Sequence, residues 1–349
     1  MRDKIIFEDI ETILDSSVPI SELAGRTILI TGATGLIGSF LVKFLVMYNT
    51  KANSPVRIIV LSRDLDRIKS AFSEHILAGI EVVIGDVLDL PAITFSIDYI
   101  VHGASVTSSF DFIQHPVKTI NTIVKGTESV LEFAKRAGVR SFVFLSSMEV
   151  FGFVQNAEPI TESDYGYIDI LDVRSSYSES KRLAECLCVS YSKEFDMPVK
   201  IARLTQTIGP GMSYEDTRVA GQFARAVIEE KDIVLKTDGS TTRNTLYVAD
   251  AVSAILTIML KGRPGQAYNV ADKDSFLSIK DTAIMIANKI AAGRIEVRCQ
   301  NDVNSMYAHN NALMLNLSTA KLESLGWKAL FSLEESYRRL ILSLININA

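Results

Sequence analysis

The stretch Thr27-Ile28-Leu29-Ile30-Thr31-Gly32-Ala33-Thr34-Gly35-Leu36-Ile37-Gly38 decides the fold. Its opening run, Thr27 to Ile30, is short, apolar and rich in β-branched residues, as expected of a strand buried on both faces of a parallel sheet. A glycine-rich turn follows at once and leads into the helical stretch Leu36 to Tyr48. In that order, strand, turn and helix present backbone N–H groups and a positive helix end to a pyrophosphate. Glycines at these places tighten the turn, admit the phosphates close to the backbone and let the helix sit near the sheet. Gly32, Thr34, Gly35, Leu36, Ile37 and Gly38 are therefore candidate dinucleotide contacts. A glycine pattern alone also fits a tight turn with no ligand, and it is the flanking strand and helix that favour the phosphate reading.

Further apolar strands are expected at Arg57 to Leu61, Glu81 to Ile84, Asp98 to His102, Ser141 to Ser146 and Val199 to Leu204. Helical stretches lie between several of them, notably Val117 to Ala137. Alternating strand and helix implies a parallel sheet covered on both faces. The fold class is thus α/β, a Rossmann-type doubly wound parallel sheet with a smaller C-terminal substrate lobe. After Gly209-Pro210-Gly211 the rhythm changes to helices and short strands. The expected division is an N-terminal extension over 1–24 and a dinucleotide-binding domain over 25–205, rejoined by about 246–272. Residues 206–349 then form mainly the substrate-binding lobe. In the extension, Ile5-Ile6-Phe7, Ile10 and Ile13-Leu14 recur at near-helical spacing, which suggests a short helix packed on the body or a partner-binding arm.

Composition excludes several classes. Apolar residues make up 48% of the 349, enough for a sizeable core. Lys+Arg is 36 against Asp+Glu 41, a net charge of -5, so a nucleic-acid backbone is not an expected partner. Apolar runs are shorter than the roughly 20 residues that span a bilayer, so no membrane partner is expected. No signal peptide is read at the N-terminus. Cys186, Cys188 and Cys299 cannot build a disulfide framework, so a reducing cytoplasm is the expected setting. The histidines His75, His102, His115 and His309 lack ligand spacing and no metal is expected.

The end of the second strand should meet the adenosine ribose, where an acid would favour NAD. Here it reads Leu61-Ser62-Arg63-Asp64. Ser62 stands where the acid is sought and Arg63 can face a 2′-phosphate, which leans the cofactor, NAD(P), towards NADP. Asp64 could instead serve the ribose hydroxyl, and Arg63 could be a solvated loop charge. Asp86, after the third strand, could meet the adenine or simply shape a turn.

Tyr177 and Lys181 lie four apart in Tyr177-Ser178-Glu179-Ser180-Lys181, hence on one face of a helix. An ammonium near the phenol should lower its pKa and make it a base near neutrality. The fifth strand ends in Ser146-Ser147 at the sheet edge where ligands bind in such folds, and a serine hydroxyl there can share the substrate proton.

These residues resemble an extended short-chain dehydrogenase/reductase of the NAD(P)-dependent nucleotide-sugar epimerase/dehydratase family. The matching motifs are Thr31 to Gly38, His102-Gly103-Ala104, Ser146 to Gly152, the Tyr177/Lys181 pair and Thr242 to Asp250. The resemblance implies an enzyme that oxidises a sugar hydroxyl, transforms the ketosugar and returns the hydride, as an epimerase or decarboxylase. Alternatives are a 4,6-dehydratase, a net ketosugar reductase and a non-catalytic cofactor-sensing protein. It implies Tyr177 as base, Lys181 as its pKa partner and nicotinamide-ribose ligand, Ser147 as the second hydroxyl, and Glu149 in the catalytic set. It also implies a nucleotide-sugar substrate held at Thr107, Gln206 and Arg243, the arginine pairing with the diphosphate. Dehydratases of the family carry Asp then Glu after the strand-end hydroxyl; here Met148 replaces the first, and methionine donates no proton to a leaving hydroxyl. Arg174-Ser175-Ser176-Tyr177 together with Glu149 is similar to UDP-glucuronate decarboxylases. Gln206 stands in place of the usual asparagine, and no clear second phosphate-binding arginine occurs between Asn301 and Leu315. A homodimer built on Val117 to Ala137 and Tyr177 to Phe195 is implied, a monomer being the alternative.

Overall fold

The structure is a computed structural model describing residues 4–154, 159–300 and 314–348. Seven parallel strands form the central sheet: β1 (Thr27–Thr31), β2 (Arg57–Ser62), β3 (Glu81–Ile84), β4 (Tyr99–His102), β5 (Ser141–Ser147), β6 (Val199–Leu204) and β7 (Gln266–Val270). Their order is β7-β6-β5-β4-β1-β2-β3. Each neighbouring pair is parallel, with Thr31 opposite both Leu61 and His102. The chain leaves β1 in one direction for β2 and β3 and later returns to its other side for β4, so a crevice opens above the carboxyl ends of β1 and β4.

Side-chain alternation divides the core. Ile28 and Ile30 of β1 join the cluster under α2 (Leu36–Lys51) and a later helix, Val248–Lys261, whereas Leu29 joins the opposite one. That opposite layer is built by α3 (Pro116–Ala137) and α4 (Ser175–Glu194), with Ile123, Val130, Ala184 and Cys188 buried. Burying a side chain the size of Ile123 or Val130 stabilises by about 1.5–3 kcal/mol over exposure. Helix α3 starts on Pro116, whose missing N–H falls in the first turn, and stops at Gly138, which takes φ +63° as a C-terminal cap.

The N-terminal residues form α1 (Lys4–Leu14), with Ile5, Ile6, Ile10 and Ile13 buried on the body. Asp9 lies on the same buried face, which the apolar spacing did not reveal. The C-terminal lobe packs α5 (Val219–Ile228), α6 (Val248–Lys261, shared with the sheet) and α7 (Leu333–Asn348) around short strands. Gln206–Ile208 pairs in parallel with Thr245–Tyr247, and Thr242–Arg243 is flanked by Leu277–Ser278 and Met314–Leu315. These pairings carry the lobe to the rim of the crevice. Among the described residues no helix is long and apolar enough to cross a membrane.

Candidate active site

The glycine-rich turn has the geometry its sequence requires. Gly32 sits at φ +72°, and a Cβ there would lie 2.6 Å from the Gly103 backbone. Gly35 caps α2 without any side-chain hydrogen bond, and the nearest atom to a Cβ placed on it is Gly32 O at 3.4 Å. The first N–H groups of α2 are thus not taken by a side-chain cap, and that face is open to a phosphate. A dinucleotide fits this turn.

Behind the turn, His102 is fully buried between two hydroxyls, Thr31 Oγ1 at 2.7 Å from Nδ1 and Thr127 Oγ1 at 3.2 Å from Nε2. Thr127 donates its proton to Ile123 O and Thr31 accepts from Ala104 N–H, which assigns the imidazole proton to Nε2. Burial, reinforced by Lys181, pushes its pKa down to about 3, so the ring is neutral. Both of its partners are threonine hydroxyls.

At the adenosine end, Ser62 Oγ donates to Asp64 O. Asp64 caps the short helix Leu65–Ala71 by accepting from Asp66 N and Arg67 N. The carboxylate offered as a ribose ligand is therefore committed to that cap. Arg63 is half-exposed and 3.7 Å from Asp86, whose other oxygen accepts from Leu88 N–H.

Ser147, Tyr177 and Lys181 come together where β5 ends against the first turns of α4. Ser147 Oγ accepts from Glu149 N, and its hydroxyl acts on the phenol, lowering its pKa. Tyr177 is buried and stacks on Phe112, ring centres 4.4 Å apart. Lys181 Nζ donates to Leu145 O at 2.7 Å and lies 5.8 Å from the Tyr177 ring centre. Burial pushes the lysine down to about 8, opposed by Glu185. The phenol shows the opposite of the expected shift: burial first, then Glu149, raises its pKa well above its ordinary value, against Ser147 and Arg174. Lys181 is not among the groups that lower the phenol's pKa; its ammonium donates to Leu145 O instead.

Glu149 is clamped. Arg174 Nη1 and Nη2 meet its two oxygens at 2.9 and 3.1 Å, and Ser178 Oγ donates at 3.0 Å. Met148 is buried beside it. Arg243 and Gln206 line one cleft with Thr245, Leu277 and Tyr337. Burial lowers the Arg243 pKa, and among the described residues it makes no ion pair. Thr107 does not line this cleft; it is exposed between β4 and the short helix Ser109–Gln114. Most of the stretch between Asn301 and Leu315, where a second arginine was sought, lies outside the described residues.

The model of the NAD dependent epimerase/dehydratase family matches residues 28–271. The chain belongs to this enzyme family. UDP-glucuronic acid decarboxylase 6 of Arabidopsis thaliana is 32% identical over 253 residues, 72% of this chain and 71% of that protein. UDP-glucuronic acid decarboxylase 2 of the same plant is 29% identical over 311 residues, 89% of this chain and 66% of that protein. The chain therefore spans about two-thirds of the length of that relative. Among solved structures, UDP-glucose 4-epimerase of Thermotoga maritima superposes with a TM-score of 0.77 at 20% identity, covering 93% of this chain and all of that one.

Within the family fold, the sequence reading missed residues whose role depends on long-range contacts. Tyr337 shares the Arg243 cleft although it lies in the last helix. Glu185 and Arg203 form a buried ion pair at 2.7 Å beside the end of β5, and Ser146 Oγ donates to the same carboxylate. The i, i+4, i+8 spacing of Tyr177, Lys181 and Glu185 was the available signal for the last of these.

Proposed function

We propose that the chain is an NAD(P)-dependent nucleotide-sugar decarboxylase working through a transient 4-keto sugar. The observation that carries this reading is the meeting of Ser147, Tyr177 and Lys181 at the carboxyl edge beside a cleft holding a half-buried Arg243 that makes no ion pair among the described residues. The bound nicotinamide would accept a hydride from the sugar and later return it. Tyr177 would take the C4 hydroxyl proton, Ser147 would orient that hydroxyl, and Lys181 would hold the nicotinamide ribose. Oxidation at C4 makes a C5 carboxylate a β-keto acid, which loses carbon dioxide as its electrons pass to the ketone; a proton then enters at C5. Glu149, paired with Arg174, would face the carboxylate end of the sugar. Gln206, Thr107 and Arg243 would hold the nucleotide diphosphate side. Buried Met148 supports decarboxylation over loss of water, since no acid stands where a hydroxyl would have to leave.

Arg63 and Ser62 support NADP. The Arg63–Asp86 pair favours NAD as a second reading, because a carboxylate there repels a 2′-phosphate and can accept from a ribose hydroxyl. A homodimer through α3 and α4 is supported by exposed Val117, Ile120 and Leu183 on their outer faces. The free cysteines suit a reducing cytoplasm.

The test is incubation with oxidised cofactor and a panel of nucleotide sugars that includes UDP-glucuronate, with product mass read out. Loss of carbon dioxide without net change in nicotinamide absorbance is the expected result. Unchanged mass would make the enzyme an epimerase, loss of water a dehydratase, and stoichiometric consumption of reduced cofactor a reductase. Cofactor binding without turnover of any sugar would leave the cofactor-sensing alternative.

A further inference from the structure

Helix α1 buries a carboxylate as well as isoleucines. Asp9 is 0% exposed and bonds two separate elements at once. Its Oδ2 accepts from the Tyr247 hydroxyl at 2.6 Å, and its Oδ1 from Arg339 Nη1 at 2.8 Å. Both donors sit on elements whose other residues line the Arg243 cleft. Tyr247 ends the short strand that begins at cleft-lining Thr245, four residues after Arg243. Arg339 lies two residues from Tyr337 on α7, a spacing that turns one side chain towards α1 and the other towards the cleft. Phe331 fills the angle between them, with its ring 4.8 Å from that of Tyr247 and 5.1 Å from the Arg339 guanidinium.

Adhesion alone does not call for this carboxylate. Ile5, Ile6, Ile10 and Ile13 already bury the helix, and taking a carboxylate out of water costs several kcal/mol unless it is well paired. What the carboxylate adds is direction: two charge-assisted bonds with fixed geometry that hold the strand after Arg243 and the helix carrying Tyr337 at one separation. We propose that Asp9 is a positioning residue for nucleotide-sugar binding, and that the N-terminal helix is a working part of the substrate lobe's frame. The proposal rests on the reading of Arg243 as the diphosphate ligand. Asp9 touches neither substrate nor cofactor; it acts through Tyr247 and Arg339 on the spacing between Arg243 and Tyr337.

The test compares Asp9→Ala, Tyr247→Phe, Ile10→Ala and Arg243→Ala in the full chain, using UDP as probe in calorimetry together with cofactor titration and thermal unfolding. Asp9→Ala and Tyr247→Phe should each weaken UDP binding by about 3- to 30-fold, the range in which residues that act through others change a ligand's affinity. Cofactor affinity should stay within about two-fold, because the glycine-rich turn is untouched. Ile10→Ala removes buried apolar volume from the same helix, so it should lower the melting temperature and leave UDP affinity alone. Equal weakening of UDP binding by Ile10→Ala and Asp9→Ala would show that only the helix's stability matters and would overturn the proposal. Should Asp9→Ala fail to fold, Tyr247→Phe keeps the ring and removes one of the two bonds, and unchanged UDP affinity there would overturn it equally. If Arg243→Ala binds UDP as well as wild type, the substrate-site reading itself fails. If Arg243→Ala weakens binding but Tyr247→Phe and Asp9→Ala do not, only the role of α1 fails.

Discussion

At the scale of single residues, the catalytic set makes distinct predictions. Tyr177→Phe keeps the ring that stacks on Phe112 and removes only the hydroxyl. Turnover should fall about 10²–10⁴-fold, the usual contribution of a positioned acid or base, with cofactor affinity nearly intact; a Phe variant of near-wild-type rate would sink the assignment. Lys181 carries a pH signature. Its folded pKa of about 8 lies below the usual 10.5 of a lysine because burial disfavours the ammonium. The unfolded chain therefore binds more protons between those values, and stability should rise with pH across that window. Lys200, also pushed down to about 8 by burial, acts in the same sense, so Lys181→Met should reduce the slope without abolishing it. Denaturant unfolding at pH 7.5 and 10 in wild type and variant measures this. In the wild type, kcat/KM should decline as pH rises through about 8 if the ammonium holds the ribose; a flat profile to pH 10 would remove that role. For the cofactor, Arg63→Ala should weaken NADP about ten-fold or more and hardly affect NAD if the arginine meets a 2′-phosphate. Equal changes for both would show it to be a partner of Asp86 alone.

At the scale of elements, legibility followed the range of the physics. The glycine-rich turn was readable because its constraint is local: φ +72° at Gly32 and the approach of the Gly103 backbone admit no side chain. Gly32→Ala should therefore cost about 1–3 kcal/mol in strain and abolish cofactor binding, as followed by thermal unfolding and cofactor titration. A stable variant that binds cofactor normally would refute this account of the turn. Strand β6, buried at every residue, falls where its apolar run marked it, since such a strand needs little beyond its own sequence; β3, the partly covered edge strand, keeps its expected bounds as well. The spacing of α1 gave its helix and buried isoleucines but not the buried Asp9, because a carboxylate reads as solvated until its partners are known, and these lie in α7 and beside α6. Tyr337 in the Arg243 cleft was unreadable for the same reason. The raised Tyr177 pKa was missed because spacing shows that a lysine can approach, not that burial and Glu149 outweigh it.

At the scale of the whole molecule, apolar surface remains uncovered in one region. Phe110 and Val117 are each 68% exposed and Leu171 is 88% exposed, with Ile120, Ile170 and Leu183 exposed as well. The end of the segment 169–176 lies against the short helix Ser109–Gln114, since Ser176 Oγ donates to Phe112 O and the Arg174 guanidinium lies 5.8 Å from the Phe112 ring centre. The exposed residues thus flank the elements that also carry Tyr177. Contiguous apolar surface of more than a few hundred Å² marks an interface more often than bare surface. A second copy docked here would cover α3 and the start of α4, and by damping motion of Phe112 would hold the phenol that stacks on it. Val117→Glu places a charge on this surface, at a residue 68% exposed in the first turn of α3. It should convert a dimer into a monomer in sedimentation at micromolar concentration, and the monomer should keep its cofactor affinity while losing rate. A wild type that sediments as a monomer would remove the interface, and a monomeric variant with full rate would show that the dimer leaves the Phe112–Tyr177 stack alone.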